Sequence, residues 1–96
     1  MAIIAKELTI AGYNSGTAVY TYSFGGGAST NANCIDLGDI SGYTPSATDI
    51  ISISPKTSGA VDGNIISWIT WGSSTWSLFI GSEGHLGKFS VVIKTL

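Results

Sequence analysis

Charge is what this chain has least of. Asp, Glu, Lys and Arg make up 10% of its 96 residues, against about 25% in an average globular domain. A solvated surface must therefore be built from Ser, Thr, Asn and Gly, or be reduced because other subunits cover it. The only basic residues are Lys6, Lys56, Lys88 and Lys94, scattered through a chain of net charge −2. No basic stripe exists to neutralise phosphates, which argues against a nucleic-acid partner. Cysteine is nearly absent too: Cys34 is alone, so neither an internal disulfide nor a cysteine-based metal cluster can form, and it reads as a small buried hydrophobe. The N-terminal MAIIAKELTI has no basic n-region and no long apolar run, so neither a signal peptide nor a membrane span is expected there. The expectation is a chain kept inside a cell or released from it by lysis. No stretch carries a convincing helical period.

What is present is β pattern. A chain of this length makes one domain, residues 1–96, burying roughly two-thirds of its unfolded surface. Ile3 to Ile10 alternates loosely, with Ile4, Leu8 and Ile10 on one face. After a turn at Tyr13 to Gly16, Thr17 to Phe24 places Ala18, Tyr20, Tyr22 and Phe24 on one face and Thr17, Val19, Thr21 and Ser23 on the other. These two segments predict an antiparallel hairpin over residues 1–24. Gly25 to Asn33 has no large apolar residue and reads as a mobile loop. Gly25, Gly26, Gly27, Asn31 and Asn33, with Tyr43 further on, form a candidate surface for a ligand or partner. The triple glycine is followed by no Gly-Lys-Ser/Thr, so it is not a phosphate-cradling loop.

Further strands are expected at Cys34 to Leu37, at Ile50 to Ser54 before Pro55, weakly around Thr57 to Val61, and at Lys88 to Leu96. Asp62-Gly63 is a hairpin turn signal. All three tryptophans fall in Ile65 to Ile80, IISWITWGSSTWSLFI, which reads as a β-hairpin around Gly72-Ser73 or a wider Gly72 to Thr75 loop. Its alternation puts Ile65, Ile69, Trp71, Trp76, Leu78 and Ile80 on a core face. Ile66, Trp68 and Phe79 fall on the opposite face, too much apolar area for a small domain to leave in water. These three are the candidate subunit interface, because interfaces favour aromatics and shed charge. Seven or eight short strands at turn spacings of about 8 to 12 residues predict an all-β fold, a compact antiparallel β-sandwich or small jelly-roll-like barrel.

Chemistry-bearing patterns are sparse. His85 is the sole histidine and no Gly-x-Ser-x-Gly elbow exists, so no catalytic residue is assigned. Asp36 and Asp39 sit three apart around a glycine, a spacing compatible with Ca²⁺, but with far fewer oxygen donors than a calcium loop needs. No metal or cofactor is assigned. Asp49 reads as a turn cap or as an acceptor of backbone N–H bonds just before its strand. Aromatic side chains in a Ser/Thr/Asn background also suit stacking on sugar rings, which keeps a lectin-like or receptor-binding module as the alternative to a structural protein.

From Asp36 onward the chain resembles the C-terminal knob and appendage domains of tailed-bacteriophage fibre and accessory virion proteins. Asp49, Ile50, Ile51 and Ser52 match the start of a strand in that family, Trp76, Leu78 and Phe79 its aromatic hairpin, and Val91, Val92 and Ile93 its final strand. The resemblance implies a homotrimeric β-sandwich on a virion, contacting a major capsid or appendage protein, with host-surface glycan as a further partner. It also implies a non-enzymatic role as a capsid decoration (cement) subunit or small fibre tip. With no shaft or coiled coil ahead of the domain, residues 1–24 are the expected attachment element.

Overall fold

The computed structural model describes residues 2–14, 16–32, 34–56, 66–80 and 87–96, with Pro55, Ile66, Ser67, Trp68 and Ile80 described in backbone only. Its strands are β1 (Ala2–Asn14), β2 (Val19–Ser23), β3 (Ser29–Ala32), β4 (Ile35–Asp36), β5 (Ile50–Pro55), β6 (Ile66–Gly72), β7 (Thr75–Ile80) and β8 (Gly87–Thr95), with one 3₁₀ turn at Leu37–Asp39. A five-stranded sheet runs β3-β2-β1-β8-β5 and a three-stranded sheet runs β4-β7-β6. Every pairing is antiparallel. This is the all-β architecture of two packed sheets that the alternation predicts. Among the described residues no helix is long and apolar enough to cross a membrane.

β1 is the spine of the larger sheet. Its first part pairs with β8 from Ala2↔Thr95 to Ile10↔Gly87, and its last part pairs with β2 from Thr9↔Ser23 to Asn14↔Val19. The strand continues through Ala11-Gly12, where alternation breaks down, because a register shift between Ile10 and Gly12 absorbs the extra residue. The turn therefore falls later than the sequence suggests: Asn14 Oδ1 accepts the Gly16 N–H and Thr17 N–H reaches the Asn14 carbonyl. Ala18, at φ 53°, belongs to this turn and not to the strand face it was assigned by alternation.

The core lies between the sheets. Leu8, Ile10, Tyr20, Tyr22, Phe89, Val91 and Ile93 from the larger sheet meet Ile35 and Leu78 from the smaller, and Leu37, Ile40 and Tyr43 from the connection close the cluster. Each large aliphatic or aromatic side chain so buried contributes roughly 1.5–3 kcal/mol. Tyr13 and Tyr20 are direct cross-strand partners with ring centroids 4.5 Å apart.

One segment departs from its reading as a loop. Ser29–Ala32 forms edge strand β3, in register with β2 from Val19↔Ala32 to Tyr22↔Ser29. Its backbone completes the ladder of β2 without any large apolar side chain, a kind of stabilisation that a hydrophobic pattern does not reveal. The weak strand around Thr57 to Val61, the Asp62-Gly63 turn and the loop residues 81–86 lie outside the described residues.

Candidate functional site

Polar side chains gather where the connection between β4 and β5 crosses the ends of both sheets. Asp36 closes β4 and caps the 3₁₀ turn: its Oδ1 accepts the Gly38 N–H at 2.7 Å and the Thr75 hydroxyl at 2.6 Å. Tyr22, fully buried on β2, donates its hydroxyl to Asp39 Oδ2 at 2.5 Å, and the Tyr22 hydroxyl oxygen in turn accepts the Asp36 N–H at 3.2 Å. Burial, reinforced by the bond to Asp39, holds the Tyr22 phenol well above the usual tyrosine range.

A second network follows at once. The buried Tyr43 donates to Asp49 Oδ2 at 2.6 Å, and that oxygen also accepts the Ser46 N–H at 2.9 Å. The Ser46 carbonyl accepts the Trp76 indole N–H at 2.8 Å. Asp49 is the one buried charged residue among those described, and it tolerates burial because these donors replace water. It accepts a backbone N–H just before its strand, as the sequence indicates. Burial and then the bond to Asp49 raise the Tyr43 phenol as well.

These networks fasten the connection to both sheets. Both phenols are held protonated, so neither offers a nucleophile at neutral pH, and one oxygen of each aspartate accepts from the chain's own donors. Among the described residues no three His, Cys, Asp or Glu side chains come together. Asp36 and Asp39 direct their oxygens at Thr75, Gly38 and Tyr22. His85 lies outside the described residues. Cys34 is half-buried, with its thiol 3.7 Å from Asn31 Oδ1 and its pKa raised by burial.

The candidate loop residues separate. Gly25, Gly26 and Gly27 are exposed, Asn31 is half-buried on β3, and Tyr43 belongs to the core with its hydroxyl committed to Asp49. Asn33 lies outside the described residues. On the tryptophan hairpin, Trp71↔Trp76 and Ile69↔Leu78 are direct partners around a Ser73-Ser74 turn, and the two indoles meet edge to face at 5.5 Å. Leu78 is fully buried, with Ile69 and Trp76 packed on the core. Phe79 is half-buried and in register with Trp68. The side chains of Ile66 and Trp68 lie outside the description, and a register shift between them interrupts the alternation that put both on one face.

The structure adds a surface that the sequence reading passed over. On the outer face of the five-stranded sheet, Ile3, Lys94 and Ile50 stand side by side across β1, β8 and β5. Ile3 is 63% exposed, Ile50 55% and the terminal Leu96 80%. Ala5, Val92 and Ser52 form the next row. Glu7 then binds Lys56 at 2.5 Å, with Lys88 at 3.8 Å. The alternation Ile50-Ser52-Ser54 carried a signal for this surface, since it groups Ile50 with two serines on a face away from the core.

Comparison of the chain with family models, curated proteins and solved structures returns no match.

Proposed function

We propose that this is a non-enzymatic structural protein that acts through protein–protein contacts, and that its place is on a virion, as a capsid decoration subunit or small fibre tip. One observation carries the contact role. Among the described residues, the phenols of Tyr22 and Tyr43 and one oxygen each of Asp36, Asp39 and Asp49 are committed to internal bonds, while Ile3 and Ile50 stand in solvent on either side of Lys94 on the outer face of the larger sheet, with Leu96 exposed just beyond β8. Exposed apolar residues grouped on one face mark interaction surfaces. The virion placement rests on the sequence resemblance, and the all-β fold is compatible with it.

Particles banded by density from a lysed culture carrying this gene, then probed with an antibody to this chain, test the placement. The chain is expected to band with the particles. Recovery only with bulk soluble protein at the top of the gradient would overturn it.

A further inference from the structure

Among the described residues, four stretches of sheet edge carry a device that discourages pairing, and β5 does not. β3 is a short, polar edge and β4 has only two residues. β6 is broken by the register shift between Ile66 and Trp68. The stretch of β1 ahead of Thr9, which β2 leaves uncovered, bears Lys6 and Glu7. Short length, irregular register and charge all obstruct strand addition. β5 ends the five-stranded sheet with Ile50-Ile51-Ser52-Ile53-Ser54, uncharged and in unbroken register with β8. Among the described residues no strand lies beyond it.

The backbone polarity of that edge can be worked out. Lys56 N–H donates to the Lys88 carbonyl at 3.0 Å, which makes 56 and 88 a hydrogen-bonded pair of the β5–β8 ladder. Antiparallel ladders alternate bonded and non-bonded pairs, so Ser54, Ser52 and Ile50 bond to β8, and Ile53 and Ile51 aim their N–H and C=O groups away from it. Pro55 occupies the same outward set, where its missing N–H costs the ladder nothing. At the other end the Asp49 N–H is taken by the Ser46 carbonyl.

The geometry points to β5 pairing with β5 of a second copy about a two-fold axis through Ser52. In that register Ile51 of each chain bonds Ile53 of the other, using both outward N–H groups and both carbonyls of each isoleucine pair. Shifting it so that Ile51 meets itself sets Ile53 against Asp49, whose N–H is occupied. Centring it on Ile53 sets Ile51 against Pro55, which has no N–H. The strand is thus self-complementary in one register, and the absence of charge from Ile50 to Ser54 brings no like charges together across the axis. Ile51 and Ile53, half-exposed beside the core, cover each other as β-branched cross-strand pairs. A two-fold contact consumes β5 on both chains and leaves only the guarded edges, so pairing closes at this interface.

Cross-linking tests the register without disturbing the fold, because Ser52 and Ser54 are exposed. Across the axis Ser52 faces its own copy as a non-bonded pair with Cα atoms about 4.5 Å apart, within disulfide range. Ser54 faces Ile50, about 13 Å along the strand from Ser54 of the second copy. In a Cys34→Ser background, Ser52→Cys is expected to oxidise to a covalent dimer and Ser54→Cys to remain uncross-linked under the same conditions. Sedimentation of the unmodified chain is expected to show a mass at least doubled, and Ser52→Lys to lower it. Equal cross-linking at both positions, cross-linking at neither, or a chain that sediments as a monomer would overturn the pairing. The inference does not depend on where the protein acts, so failure of particle banding leaves it standing.

Discussion

The hydroxyl of Tyr22 sits 2.5 Å from Asp39 Oδ2 and accepts the N–H of Asp36, so one buried phenol on β2 holds the start of the 3₁₀ turn against the larger sheet. Tyr22→Phe keeps the ring and its edge-on contact with Phe24 at 5.8 Å, but removes both bonds. The expected loss is about 1–3 kcal/mol, the cost of leaving buried polar groups unpaired. Urea unfolding checks it, with the midpoint falling and the slope unchanged.

Tyr22 and Tyr43 also set an alkaline limit. Both phenols are held above the ordinary tyrosine value of 10.0, so above that pH the native state binds more protons than the unfolded chain and stability falls as pH rises. Their contribution is fully present below pH 10.0. Stability measured against pH is expected to slope downward beyond that point, and the slope is expected to flatten in the Tyr22→Phe/Tyr43→Phe double variant.

Gly38 has no room for a side chain. A Cβ there would lie 2.8 Å from Thr75 Oγ1 and 3.0 Å from Asp36 Oδ1, the two groups that bind each other across the turn. Gly38→Ala is expected to destabilise by about 1–3 kcal/mol through overpacking. Thr75→Val in the same background should then cost less than it does alone, because the bond it removes is already strained. A double-mutant cycle measures that coupling.

Ser73 turns the tryptophan hairpin at φ 60°, a left-handed conformation that disfavours a side chain. Ser73→Gly is expected to raise stability by about 0.5–1 kcal/mol, read as a higher thermal midpoint with unchanged tryptophan fluorescence. A fall in the midpoint would show that the turn needs the serine itself.

Glu7 is held below its ordinary value of 4.5, chiefly by its bond to Lys56. The pair's contribution is present above pH 4.5 and is lost as pH falls through the lowered value. It sits in solvent, so salt screens it. Thermal midpoints at neutral pH are expected to drop slightly on adding salt in the unmodified chain, and Glu7→Gln is expected to remove that dependence.

Local rules account for much of the fold. Alternation located β1, β2, β5, β8 and the tryptophan hairpin, grouped Leu8 with Ile10 and Tyr20 with Tyr22 on single faces and put Leu78 on a core face, because each lies in a strand whose side chains must sort between core and water. It lost β3, whose pairing rests on the backbone ladder with β2, and it put Ala18 on a strand face although that residue lies in the turn. The surface at Ile3 and Ile50 was partly legible in Ile50-Ser52-Ser54, but Ile3 and Ile50 meet only through β8.

Composition and period by themselves determined that the chain is all-β and carries only four lysines, spread along its length. These are sums over residues or features of near neighbours in sequence. Only the tertiary structure decided that Tyr22 answers Asp39, that Tyr43 answers Asp49, and that β5 stands at the end of its sheet, with Ile51 and Ile53 packed on the core. Strand order and hydrogen-bond partners are set by contacts between segments far apart in the chain, and a strand reads the same from its own residues whether it lies at the centre of a sheet or at its edge.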